Sequence, residues 1–175
     1  MDFQKVESDL LKMHMINHDV VGFTKIIFDD FCFSSGFRNI NFHFQSNVEY
    51  LEIYFDEAQM EKVLFNLLSN AIKFTPDGGD IWLSIEARKG DLSIKIKDNG
   101  IGIDPQYLKK LFVHFFQISE FHGQNTGYGV GLALAKSIVE SHHGSLTVES
   151  KLAQNDVPGS TCFTIILLKG NKHFL

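Results

Sequence analysis

Cysteine is scarce in this chain of 175 residues, which has only Cys32 and Cys162. Two thiols so far apart, each among apolar neighbours, make no disulfide framework, and a reducing compartment, the cytoplasm, is the expected setting. Blocks of Lys or Arg are also missing. With a net charge of -5, nothing resembles a nucleic-acid footprint, so a negative ligand must be met locally by helix ends and single lysines. No apolar run approaches the ~18 residues of a membrane span, and no signal-peptide pattern precedes Asp2. The chain is expected to be soluble, without direct membrane contact of its own, even if it is cut from a membrane protein. The histidines and cysteines show no metal-ligand spacing.

Apolar residues make up 44% and charged residues 21% of the chain, the ordinary globular range, and the length suits one domain with a real core. The 17 Phe point to an aromatic-rich core or a flexible aromatic segment. Residues 1–9 are mixed and polar and read as the tail of an upstream dimerisation helix or linker. Residues 10–170 read as the domain, and 171–175 as a C-terminal tail.

Leu11, Met13 and Met15 alternate with polar residues as a short strand. His18-Asp19 supplies a helix cap before Val20, Phe23, Ile27 and Phe31, and that helix should end near Ser34 to Gly36. Ile40, Phe42 and Phe44, then Leu51, Ile53 and Phe55, alternate as two strands with a turn between them, which predicts a hairpin. Asp56 opens the clearest helix, with Gln59 placed as in a capping box, and Met60, Val63, Leu64, Leu67, Leu68, Ala71 and Phe74 form its apolar stripe. At roughly 100° per residue, Asn66, Asn70 and Lys73 fall within about 60° of one another on a neighbouring stripe. A second hairpin runs over Ile81 to Ala87 and Leu92 to Asp98. Asp104-Pro105 starts a short helix through Leu111. From Val113 to Thr126 no period holds, the mark of a functional lid. Gly127 to Gly131 leads into a helix from Leu132 to His143, with Gly144 as its C′ residue, and two strands follow. The order predicts an α+β fold: a two-layer α/β sandwich whose mixed, mostly antiparallel sheet is covered on one face by about three helices.

Asp98 breaks the pattern. Leu92, Ile94 and Ile96 set the apolar parity of their strand, and Asp98 continues it with a carboxylate. Such a group needs a hydrogen-bonding partner, in the protein or a ligand, or a pocket to open onto. Gly100 and Gly102 follow, residues that admit close backbone approach or positive φ. A strand ending in an Asp-Asn-Gly turn is the plainer reading of this stretch alone. Glycines leading into a helix N-terminus, as at Gly127, Gly129 and Gly131, can cradle phosphate or form a flexible loop. Neither G-x-x-x-x-G-K-[ST] nor G-x-G-x-x-G is present.

The ordered set Asn66-x-x-x-Asn70-x-x-Lys73, Asp98-x-Gly100-x-Gly102, Phe112-x-x-Phe115 and Gly127-x-Gly129-x-Gly131-Leu132 resembles the N, first glycine, F and second glycine boxes of one family. It is the ATP-binding catalytic domain of sensor histidine kinases, in the superfamily shared with gyrase, the heat-shock chaperone ATPase and mismatch-repair ATPases. The resemblance runs from about Leu11 to Leu168 and implies the Bergerat-type ATP-binding fold. It implies that Asp98 accepts a hydrogen bond from the adenine amine, which favours ATP over GTP, with Gly100 and Gly102 letting backbone approach the base. Asn70 would offer its amide oxygen to Mg²⁺, while Asn66 and Lys73 face the triphosphate. Gly127, Gly129, Gly131 and Leu132 would form the closing lid and the helix behind it. Thr161 would sit near the nucleotide, and the Phe112 and Phe115 pair could serve packing as well as function.

Asn66 separates the kinase reading from its relatives, where a glutamate at that place activates water. An amide cannot be that base, whereas phosphoryl transfer to a neutral imidazole needs no proton removed from its attacking nitrogen. The family's acceptor phrase, His-Glu/Asp-Leu-Arg-x-Pro, is missing among the eight histidines. His142-His143 reads as a solvated helix end that suits the dipole. The expected partners are therefore a separate dimerisation and phosphoacceptor domain and then a response regulator receiver domain, the isolated domain itself being a monomer. Val130 in place of the usual Leu, and Val113-His114 in place of an acidic-Pro pair, depart from the family pattern at the lid. A nucleotide-binding regulatory module without kinase activity and a water-activating ATPase of the gyrase branch are the alternatives.

Overall fold

The computed structural model describes residues 13–34, 38–116, 130–155 and 157–170. The predicted tails 1–9 and 171–175, and the lid beyond Phe116, lie outside the described residues.

The elements in chain order are β1 (Ile16–Asp19), α1 (Val20–Ser34), β2 (Asn41–Ser46), β3 (Glu52–Phe55), α2 (Glu57–Phe74), β4 (Asp80–Ala87), β5 (Asp91–Asp98), α3 (Pro105–Leu108), α4 (Gly131–Ser141), β6 (Ser145–Lys151) and β7 (Ser160–Leu168). Five strands form one sheet in the order β2-β4-β5-β7-β6, and β1 and β3 form a separate pair. Only β2 and β4 run parallel in the large sheet. The α+β sandwich with a mixed, mostly antiparallel sheet is therefore present as expected.

Alternation along the strands decides which face is covered. Two cross-strand rows, Leu83, Ile96, Phe163, Val148 and Ile85, Ile94, Ile165, Leu146, follow the pairing register. Seven of these eight side chains are buried and Val148 is partly buried, and they pack with Met60, Val63, Leu64, Leu67 and Leu68 of α2 and Ala135, Ile138 and Val139 of α4 in one core. Burial of that apolar face is the main stabilising contribution.

The first predicted hairpin is not formed. β2 pairs with β4 in parallel and β3 pairs with β1 antiparallel. Alternation shows that a segment is a strand and says nothing of its neighbour. A parallel pair needs a crossover, and α2, lying between β2 and β4 in sequence, supplies it. The Asn47 side chain accepts from Ala87 N–H at 2.8 Å and donates to Ala87 C=O at 3.1 Å, holding the end of β2 to β4. The first strand is also displaced: it covers Ile16–Asp19 rather than Leu11 to Met15, and Leu11 lies outside the described residues. Asp19 is the expected cap, accepting from Val21 N–H and Gly22 N–H at 3.1 and 3.0 Å. The short helix at Asp104-Pro105 ends at Leu108, earlier than expected.

Candidate functional site

α2 carries three of the candidate residues, and its frame is set at both ends. At the start the Asp56 carboxylate accepts from Gln59 N–H at 3.0 Å, the first half of a capping box. The second half is different: Asp56 N–H donates to Nε2 of His142 at 3.0 Å. At the far end Arg38 donates to the carbonyls of Ile72 and Thr75 at 2.7 and 2.8 Å, satisfying groups the helix leaves open. Between these anchors the apolar stripe is buried, and Asn66, Asn70 and Lys73 are half-buried beside it. The Lys73 ammonium lies 5.2 Å from the centre of the Phe74 ring.

Asp98 ends β5 on the covered face, as its parity requires. It is 4% exposed and stands in a cross-strand row Ile81, Asp98, Thr161, Ser150. Its Oδ1 accepts from Gly100 N–H at 2.9 Å. Burial raises its pKa to about 6, against the pull of backbone N–H groups of Gly100 and Thr161 that favour the anion. It is a carboxylate at neutral pH with spare acceptor capacity.

Both glycines after Asp98 have a structural cause. A Cβ on Gly100 would lie 2.3 Å from Phe74 C=O, and one on Gly102, at φ +71°, would lie 1.8 Å from Lys151 C=O. The loop is thus pressed between the end of α2 and the end of β6. Ile101 N–H donates to Phe74 C=O at 3.2 Å, so the carboxylate end of the site and the amide-bearing helix are joined directly.

Phe112 is partly buried, edge-on to Phe163 at 6.5 Å, with the Lys136 ammonium 5.0 Å from its ring centre. Phe115 is exposed and holds φ 63°. The pair is therefore divided, one ring in the packing and one at the surface. Gly127 and Gly129 lie outside the described residues. Gly131 opens α4, where a Cβ would lie 2.5 Å from Oδ1 of Asn66. The contact brings the start of α4 against the middle of α2. Among the described residues no side chain caps α4 at Val130, and the first N–H groups of a helix favour a negative group. Leu132 packs on the core behind them.

His142 was expected at a solvated terminus and is instead 1% exposed. With Nδ1 2.8 Å from Ile138 C=O and Nε2 accepting from Asp56 N–H, the ring is neutral and carries its proton on Nδ1. Burial lowers its pKa. α2 and α4 therefore meet at two places, by the hydrogen bond of Asp56 to His142 and by the close approach of Gly131 to Asn66. The helix ends with His143 at φ 54° as its C′ residue, donating to Glu140 C=O at 2.9 Å, and Gly144 one place later, donating to Val139 C=O at 3.0 Å. This is a Schellman motif shifted by one from the expected cap.

The chain matches the family described as histidine kinase-, DNA gyrase B- and HSP90-like ATPases over residues 55–171. The chain belongs to this family. It is 34% identical over 178 residues to Histidine kinase P4 of Formosa agariphila, covering 99% of this chain and 13% of that relative. The mycobacterial sensor histidine kinase MprB superposes with a TM-score of 0.75 at 25% identity, over 88% of this chain and 98% of that one. A structure of the histidine kinase ThkA in complex with the response regulator protein TrrA gives a TM-score of 0.73 at 20% identity, over 95% of this chain and 47% of that one. Within the family the chain is a catalytic, ATP-binding domain of the sensor histidine kinase type. No described helix is long and apolar enough to cross a membrane.

The described residues suit Mg-ATP. A buried carboxylate, two amides, a lysine and the start of α4 offer groups of the chemistry that a base, a polyphosphate and its cation require. No cluster of three or more His, Cys, Asp or Glu side chains able to hold a metal occurs among the described residues. A neutral amide oxygen such as that of Asn70 suits Mg²⁺, which keeps waters and takes phosphate oxygens as its other ligands.

Proposed function

We propose that this domain binds Mg-ATP and transfers the γ-phosphoryl group to a histidine on a separate dimerisation domain, from which a response regulator receiver domain takes it. Residues 10–170 form the ATP-binding unit, 1–9 the tail of the dimerisation helix or linker and 171–175 a terminal tail. Asp98 accepts from the adenine amine, and Gly100, Gly102 and Thr161 complete the base end. Asn66 and Lys73 meet the phosphates, Asn70 would also hold Mg²⁺, and Gly127, Gly129 and Gly131 let the lid close over the phosphates, with the helix start at Leu132 behind them. Phe112, packed on Phe163, and the exposed Phe115 serve packing as well as function. The domain acts in the cytoplasm, as a monomer when isolated. The complex of ThkA with TrrA supports a response regulator as the final acceptor.

The observation that carries the reading is the residue at the α2–α4 contact, an amide. Asn66 has no basic lone pair with which to take a proton from water. An acceptor imidazole attacks phosphorus through a nitrogen that bears no proton. The bond to the β,γ-bridging oxygen breaks, ADP leaves with that electron pair, and no general base is needed. When bound, Mg²⁺ neutralises charge on the phosphate oxygens. Asn66 and Lys73 orient the chain of phosphates, and Asp98 fixes the base.

The test is incubation with labelled ATP and the cognate dimerisation domain. Acid-labile phosphohistidine on that domain is expected. ATP binding without any transfer would leave a regulatory nucleotide-binding module instead. Strong acceptor-independent turnover, lost in Asn66→Ala, would favour the water-activating ATPase.

A further inference from the structure

Three polar side chains, Asp98, Thr161 and Ser150, stand side by side in one row at the end of the covered sheet face. Two rows of apolar residues follow them, so Ser150, like Asp98, occupies a place where β6 otherwise presents Leu146 and Val148 to the core. Its hydroxyl makes three contacts. It donates to Ser160 C=O at 2.6 Å, accepts from Ile103 N–H at 2.9 Å and lies 3.0 Å from the Thr161 hydroxyl. One proton and two lone pairs are then fully used. Because the Ser150 proton is committed to Ser160, the Thr161 hydroxyl donates to Ser150 and keeps its own lone pairs as acceptors beside Asp98.

We propose that Ser150 is a positioning residue for nucleotide binding: it holds the glycine loop at Ile103 and orients the Thr161 hydroxyl as a second acceptor beside Asp98. Gly102 stacked on the Lys151 carbonyl and Ala153 N–H donating to Ile101 C=O at 2.9 Å extend the same clasp between loop and β6. The Asp98 carboxylate is held by the backbone of both segments that Ser150 joins, Gly100 in the loop and Thr161 in β7. This inference rests on the reading of Asp98 as the adenine acceptor.

The test is calorimetric titration of the chain with ATP, well below its melting temperature, in wild type, Ser150→Ala, Ser150→Thr, Asp98→Asn and the Ser150→Ala/Asp98→Asn pair. Ser150→Ala should weaken ATP binding about fivefold, the effect of one net hydrogen bond. Ser150→Thr, which keeps the hydroxyl, should recover most of it. The double variant should lose little more than Asp98→Asn alone, because both act on the same end of the ligand. A lower melting temperature with unchanged ATP affinity in Ser150→Ala, alongside a loss in Asp98→Asn, would make Ser150 a fold residue only and overturn the proposal. Unchanged affinity in Asp98→Asn would overturn the adenine reading and this inference with it. Should Ser150→Ala not fold, Thr161→Val probes the same acceptor, and full affinity there is equally fatal.

Discussion

At the scale of single residues, the site depends on a carboxylate kept where a hydrophobic residue would pack more easily. Asp98→Asn should bind ATP at least ~10-fold more weakly, since a hydrogen bond to a charged group is worth about 1.5 to 3 kcal/mol. Wild type at neutral pH and at pH 5 should show the same contrast. Asp98 titrates near 6, so affinity should fall as the pH drops through that value, and the ratio to Asp98→Asn should shrink. Without nucleotide the sign reverses. The folded pKa of about 6 exceeds the ordinary 3.8, so the folded chain binds the extra proton, and stability is lost as pH rises through about 6. The stability of Asp98→Asn relative to wild type should therefore rise between pH 4 and pH 7, by on the order of 2 kcal/mol in urea titrations. Equal stability of the two at both pH values would mean the carboxylate is not desolvated.

At the scale of elements, α2 and α4 work as a pair held at two contacts. His142 accepts from the backbone that starts α2, and its neutral ring has a lowered pKa. Here the unfolded chain takes the proton first, so the contribution of His142 is complete above about pH 6.5 and fades as the pH falls below it. His142→Ala should cost about 2 to 3 kcal/mol at pH 8, from the orphaned Asp56 N–H and the space left behind, and less at pH 5. At the other contact, Gly131→Ala would force its methyl against Asn66 Oδ1, 2.5 Å away. Expected is a fall in phosphotransfer with a smaller effect on ATP affinity, because the base end is untouched, measured as the split between transfer rate and binding constant.

At the scale of the whole molecule, one rigid sheet serves two purposes. Its apolar rows bury α2 and α4, and its polar end row meets the loop at Gly100 to Ile103. Under the proposed function the acceptor histidine belongs to a separate domain, since none of the eight histidines stands in the family's acceptor phrase. The chain alone, given labelled ATP, should bind nucleotide and gain no acid-labile phosphate on its own histidines. Stable autophosphorylation of the isolated chain would contradict that division of labour.

Much of this was legible in the amino-acid order. Alternation placed Asp98 on the covered face because side chains on a strand have a period of two wherever the strand pairs. Helical period put Asn66, Asn70 and Lys73 on one edge of α2, and four motifs in order marked the family. What needed the tertiary structure was partnership. Alternation could not tell β2 that its neighbour is β4, since pairing depends on the helix that crosses between them. A histidine pair near a helix end looks solvated until the start of another helix supplies a donor to bury it, as Asp56 does for His142. Nothing in the sequence singles out Ser150, because its meaning lies in Ile103, Ser160 and Thr161, which only the fold brings around one hydroxyl. Local periodicity follows from backbone geometry and is written along the chain, whereas hydrogen bonds between distant segments depend on positions set only once the sheet and helices have packed.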